Sequence, residues 1–206
     1  WPSYTGDEPR TRIFWPEGIG EWQTVKNQAV KDNGYFFNRT PLWGYENEAD
    51  PKVMEKQIDE AVNHGVNVFI YDWYWYDNRP FLENCLNDGF LKAKNNNKMK
   101  FCLMWANHNA THLWDKRNSD DDLDTVIWSG VVTPDIFDNI CDRTIEKYFL
   151  KENYYCIDGC PVYMIFDIDN FIRSFGTSDK CKAGLDEFRR KTVEAGFRGL
   201  HFQVVH

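Results

Sequence analysis

The chain lacks the features that announce several large protein classes. No run approaches the roughly 20 apolar residues of a membrane span, and the most apolar stretch, residues 66–76, is broken by Asp72. No basic cluster exceeds Arg189-Arg190-Lys191, and 24 Lys+Arg against 32 Asp+Glu leave a net charge of −8 and a pI near 5.1. Such a surface repels polyanions and anionic bilayers, so neither nucleic acid nor a membrane is expected as a partner. No Gly-x-Gly-x-x-Gly turn or Walker sequence follows any strand-like run, which disfavours a doubly wound nucleotide-binding fold. Six cysteines are too few to staple 206 residues, so the fold must stand on its core. Cys156 and Cys160 have no second CxxC-type pair beside them, and buried free thiols are expected rather than a metal site. Neither metal nor cofactor is expected. The chain opens Trp1-Pro2-Ser3 with no initiator Met or leader, and stops at Val204-Val205-His206 inside an apolar run; both ends are expected to be cuts in a longer protein.

What is abundant is aromatic surface. Nine Trp, 10 Tyr and 15 Phe make 17% of the chain and gather around the strand-like runs. Rigid amphipathic rings serve a core and also suit the apolar faces of sugars. The hydrophobic fraction of 42% is ordinary for one folded domain.

Apolar runs of strand length begin at residues 66, 99, 162 and 200, spaced 33, 63 and 38 residues apart. Most are apolar at successive positions, as parallel strands covered on both faces must be. Helices are expected after Asp50-Pro51, where Asp50 caps, Pro51 takes the first position and Gly65 stops the helix, after Thr133-Pro134, and from about Ser178 to Gly196. These spacings match βαβ units and predict an α/β fold, specifically a (β/α)8 TIM barrel. Residues 1–206 would supply its N-terminal portion, about five of the eight units. The acidic run Ser119-Asp120-Asp121-Asp122-Leu123-Asp124 lacks the Gly and final Glu of a calcium loop and reads as a solvated face.

In a barrel the chemistry sits at the carboxyl ends of strands and in the loops that follow. There the sequence offers Asp72 among Trp73, Tyr74, Trp75 and Tyr76, and apolar neighbours would raise its pKa toward general-acid or hydrogen-bonding use. Asp167 and Asp169 would lie about 7 Å apart on one face if strand geometry persisted, near the spacing of glycosidase carboxylates. The better N-cap of the two is expected to be Asp169, leaving Asp167 for catalysis. Trp105, Asn107 and His108 end the next strand, and Asn and His there suit sugar hydroxyls better than zinc, since no Glu stands between His108 and His112. Glu21 and Trp22, following Gly18-Ile19-Gly20, read as a saccharide-gripping loop. Asp72 and Asp167 are thus the catalytic candidates, and Glu21, Trp22, Tyr74, Trp105, Asn107 and His108 the substrate-binding ones.

Taken together, Gly20-Glu21-Trp22 with Val25-Lys26, Asp50-Pro51-Lys52-Val53-Met54, Gly65-Val66 leading to Tyr71-Asp72-Trp73-Tyr74-Trp75-Tyr76, and Phe101-Cys102-Leu103-Met104-Trp105-Ala106-Asn107 resemble the glycoside hydrolase family 99-like (WbsX-like) domain. The resemblance covers about residues 1–118 well and the remainder in layout. It implies a (β/α)8 barrel acting on glycans, found in bacterial polysaccharide loci and sometimes labelled a glycosyltransferase. The family's Trp-Ala-Asn-Glu-Asn becomes Trp105-Ala106-Asn107-His108-Asn109 here, and its late Asn-Glu-Trp-x-Glu motif does not occur in residues 1–206. The expected activity is hydrolysis of a polysaccharide or complex glycan. The alternatives are a glycosyltransferase, for which Asp167-Ile168-Asp169 is the one Asp-x-Asp after a strand, or a non-catalytic glycan-binding module. A carbohydrate is the expected partner in each case.

Overall fold

A computed structural model describes residues 9–26, 40–114 and 124–205. Trp1-Pro2 and residues 119–123 of the acidic run lie outside them. A six-residue helix, α1 (Glu21–Lys26), precedes the main body, which opens with α2 (Pro51–Asn63). Asp50 caps α2 by accepting from the Lys52 N–H at 2.8 Å, Pro51 occupies the first turn, and Gly65 leaves the helix at φ +81°. Proline preset for the first turn and glycine free to turn left-handed fix both ends of this helix.

Four strands run parallel in chain order: β1 (Val68–Tyr76), β3 (Lys100–Trp105), β7 (Cys160–Ile165) and β8 (His201–Val204). The registers pair Asp72 with Met104, Met104 with Met164, and Met164 with Gln203. Two short antiparallel strands, β2 (Arg79–Phe81) and β6 (Cys156–Ile157), hairpin onto β1 and β7. A separate ribbon of β4 (Ala110–Thr111) and β5 (Val126–Trp128) lies in the long connection after β3. The remaining helices are α3 (Pro134–Thr144), α4 (Ile168–Phe175) and α5 (Ser178–Glu194). The β1-to-β3 crossover is made of tight helical turns at Cys85–Gly89, Phe90–Lys92 and Asn96–Lys98.

Alternation along the strands assigns the two faces. Phe69, Tyr71, Phe101, Trp105, Tyr163 and Phe202 meet rings of the helices and crossover turns, among them Phe90, Phe137, Phe171 and Phe188. Met54 and Ile58 of α2, Ile140 and Cys141 of α3, and Cys181 and Phe188 of α5 complete this core. Asp72, Met104, Met164 and Gln203 share the opposite face, where Ile70 is 53% and Phe166 43% exposed. The chain is therefore α/β, and this core packs its helices on one sheet face. All six cysteines are free, and burial pushes the Cys85 thiol up to about 12 and that of Cys102 to about 11.

The first strand runs further than its sequence suggests. Residues 72–76 are not a loop after the strand but its second half, because Tyr74, Trp75 and Tyr76 pair with Phe81, Pro80 and Arg79. The hairpin turns through Asp77 and Asn78, both at φ +55°, the conformation of a two-residue type I′ turn.

Candidate functional site

The carboxyl end of the sheet is roofed by a second cluster of rings. Tyr74, Tyr76, Phe81, Leu82, Ala106 and Ala110 are buried, with Trp114 and Trp128 packed against them. Phe14 adds edge contacts at 5.4 Å to Trp114 and 5.6 Å to Trp128. Arg10 fastens the preceding segment to the β1–β2 hairpin, donating to the Tyr76 carbonyl at 2.7 Å and the Pro80 carbonyl at 2.6 Å over the Phe81 ring. Charged donors on two carbonyls and a ring make this a firm tether.

Beneath the roof, Asp72 and Tyr74 stand two residues apart on the face away from the helices. Burial pushes the Tyr74 phenol up, and the charges of Asp72, Tyr76 and Glu21 push it further, so its proton is held. Asp72 is half-buried and accepts no hydrogen bond from the described residues. The His108 ring meets Tyr74 edge-on at 5.9 Å, Trp114 at 5.9 Å and Phe166 at 5.6 Å, while its Nδ1 lies 2.9 Å from the Asn109 carbonyl. The Tyr76 hydroxyl fixes that turn by donating to the His108 carbonyl at 2.9 Å.

The other sequence candidates are placed differently. Trp105 lies on the helix-facing side, fully buried between Phe137 at 5.9 Å and Phe171 at 6.1 Å, so it is a core residue and not a sugar platform. Asn107 is buried, and its side chain is consumed by the Asp167 backbone, accepting from the N–H and donating to the carbonyl, each at 2.7 Å. Asp167, not Asp169, caps α4 by accepting from the Asn170 N–H at 2.8 Å. The helix begins at Ile168, so strand geometry does not persist and the two aspartates do not form the expected strand-spaced pair. Trp22 turns to the 40–50 loop, donating to the Glu46 carbonyl at 2.8 Å and meeting Tyr45 edge-on at 5.5 Å.

Two side chains of this face were missed in the sequence. His201 and Gln203 point the same way as Asp72, with Gln203 Nε2 3.1 Å from His201 Nε2. The signal was the alternation in Leu200-His201-Phe202-Gln203, where polar residues recur every second position. Glu83 was also unnoticed. Held by Arg143 at 2.6 Å, Tyr148 at 2.7 Å and the Trp73 indole at 2.8 Å, it is saturated by structural partners on the helix side.

Among the described residues, no group of three or more His, Cys, Asp or Glu side chains is arranged to hold a metal, and no helix is long and apolar enough to cross a membrane. The carboxyl end of the parallel sheet thus presents Asp72, Tyr74 and His108 beside a cluster of rings. The chain belongs to the family described as Glycosyltransferase WbsX, whose model matches residues 8–206. That membership supports a glycan-related activity and bears out the resemblance read from the motifs. It is 28% identical over 113 residues to the protein WxcX of Xanthomonas campestris pv. campestris, in strains B100 and ATCC 33913; the match takes in 54% of this chain and 16% of WxcX. Among solved structures it is similar to a glycoside hydrolase-like protein, at 18% identity and TM-score 0.49 over 85% of this chain and 49% of the other. The GH99 endo-alpha-mannosidase of Bacteroides thetaiotaomicron matches at 14% identity and TM-score 0.39, over 70% of this chain and 37% of that one.

Proposed function

We propose that residues 1–206 are a portion of a (β/α)8 barrel that hydrolyses glycosidic bonds in a polysaccharide or complex glycan. The observation that carries this reading is the placement of the half-buried Asp72 at the carboxyl end of a parallel sheet, on the same strand face as the buried Tyr74, whose ring meets that of His108 at 5.9 Å. Asp72, which accepts no hydrogen bond among the described residues, is available to exchange a proton with a glycosidic oxygen or a water. The Tyr74 hydroxyl donates to a sugar oxygen, and Glu21 accepts from a sugar hydroxyl. The His108 and Phe166 rings offer apolar surface to the sugar ring face. Asp167 enters as the residue that, with Asn107, positions the loop ends and not as acid or base. The barrel itself is supported by the sequential parallel order of β1, β3, β7 and β8 with helices on one face.

A second reading is a glycosyltransferase, favoured by the description of the family. Its diphosphate grip would draw on Asp167 and Asp169, but Asp167 is committed to the α4 cap. The test is incubation of the full-length protein with a glycan panel, without nucleotide sugar, and mass spectrometry of the products. Shortened oligosaccharides that disappear with Asp72→Asn support the hydrolase. Intact glycans that lengthen only when a nucleotide sugar is added overturn it.

A further inference from the structure

A concave pocket of about 380 Å³ opens on the other side of β1 from Asp72. Its walls include the indoles of Trp75 and Trp128, and its polar groups are Asp77, Asn78, Ser129 and Thr133. The volume falls in the range of small-ligand sites. Trp75 alternates with Tyr74 along β1, so the strand itself separates this pocket from the site around Asp72. Trp128 belongs to both regions, since it also packs on Tyr76 at 5.8 Å and Phe81 at 5.4 Å in the ring roof.

The polar groups have a definite donor and acceptor character. Ser129 Oγ accepts from the Val131 N–H at 3.0 Å and Thr133 Oγ1 from the Ile136 N–H at 3.3 Å. Each hydroxyl therefore keeps its proton to donate. The Asn78 side-chain amide has no partner among the described residues and offers both a donor and an acceptor. The Asp77 carboxylate, 60% exposed, has Arg79 at 3.6 Å and retains acceptor capacity. Among the described residues no Lys or Arg lines the pocket, and Arg79 beside it faces the Asp77 carboxylate, so a neutral ligand fits this lining better than a phosphate or carboxylate. Donors and acceptors in one lining with Trp75 and Trp128 match a neutral sugar ring, which carries hydroxyls at its edge and C–H groups on its face.

We propose that this pocket is a second saccharide-binding site, holding a neutral hexose unit of a glycan at the rim of the sheet. The proposal rests on the glycan reading above but not on hydrolysis. Its location beside the ring roof would let one extended glycan engage both sites, or let the pocket retain a chain between turnovers.

The test titrates the full-length protein with mannotriose, maltotriose and cellotriose, reading saturation-transfer NMR and tryptophan fluorescence. Three variants accompany the wild type: Asp72→Asn, Ser129→Tyr to fill the pocket, and the double change Asp77→Asn with Asn78→Gly. The last removes the charge at position 77 and the whole side chain at position 78 while installing Asn-Gly, the preferred pair for this turn, so the fold is kept. The expected result is binding of at least one trisaccharide that persists in Asp72→Asn and weakens tenfold or more in both pocket variants. Binding abolished by Asp72→Asn and untouched by the pocket variants would overturn the proposal while leaving the Asp72 site intact. Absence of binding to every sugar would overturn it as well. Pocket binding in a protein that never cleaves a glycan would sustain the proposal and remove the hydrolase.

Discussion

The side-chain amide of Asn107 pairs with the peptide of Asp167 at both ends, 2.7 Å to the N–H and 2.7 Å to the carbonyl. A side chain thereby extends the β3–β7 pairing by one step beyond Trp105, at the point where α4 begins. Asn170 returns the contact by donating to the Asn107 carbonyl at 3.0 Å. Asn107→Ala should cost about 2–4 kcal/mol, because two bonds are lost and two partly buried backbone groups are left unpaired. Urea denaturation of the full-length protein would read this as a lower midpoint at unchanged slope. A loss of activity with full stability would instead restore Asn107 as a sugar ligand.

Glu83 should govern the acid limb of stability. Burial alone would raise its pKa, but the bonds from Arg143, Trp73 and Tyr148 outweigh that and hold it below the ordinary carboxylate value. A depressed folded-state pKa contributes stability that is fully present above the unfolded value of about 4.3 and is lost as pH falls through the folded one. Glu83→Gln should therefore destabilise by about 2–4 kcal/mol at pH 7 and flatten the decline below pH 4. Thermal melts of both proteins between pH 3 and 7 would show the two curves converging in acid.

Asp72→Asn separates chemistry from folding. With no hydrogen bond to lose among the described residues, the variant should melt within about 0.5 kcal/mol of the wild type, while kcat falls about 10²–10⁴-fold. Unchanged turnover of the glycan would remove Asp72 from the mechanism.

Gly130 should tolerate no side chain. A Cβ there would collide with the Asn107 carbonyl oxygen, and its N–H donates to Asn109 Oδ1 at 2.9 Å. Gly130→Ala must displace the 107–109 turn that carries His108. The expected result is a loss of about 1–3 kcal/mol together with weaker substrate binding, read as a higher KM.

The elements that local chemistry dictates were legible in the sequence. Asp50-Pro51 and Thr133-Pro134 start their helices where expected, and the four apolar runs become the four parallel strands within two residues at their starts. Tertiary context decided the rest. Trp73 and Tyr74 read alike as aromatics beside Asp72, yet alternation sends one to the helices and the other to the site. The choice of Asp167 over Asp169 as cap followed from where Asn107 anchors the chain, a contact 60 positions away that no local pattern carries. The Gly18-Ile19-Gly20 run marks Glu21 and Trp22 in the sequence, whereas the turn of Trp22 to the Glu46 carbonyl, 24 positions on, depends on how α1 docks.

The order of the parallel strands bears on how the protein is made. Because β1, β3, β7 and β8 neighbour one another in the order of synthesis, each strand leaving the ribosome finds its partner already exposed as the growing edge. The template for each step is then a segment finished seconds earlier, at translation rates of roughly 5–20 residues per second. The β2 hairpin covers residues 74–76 of the starting strand before the next strand arrives, whereas β7 closes onto β3 only after the long connection that carries the β4–β5 ribbon and α3.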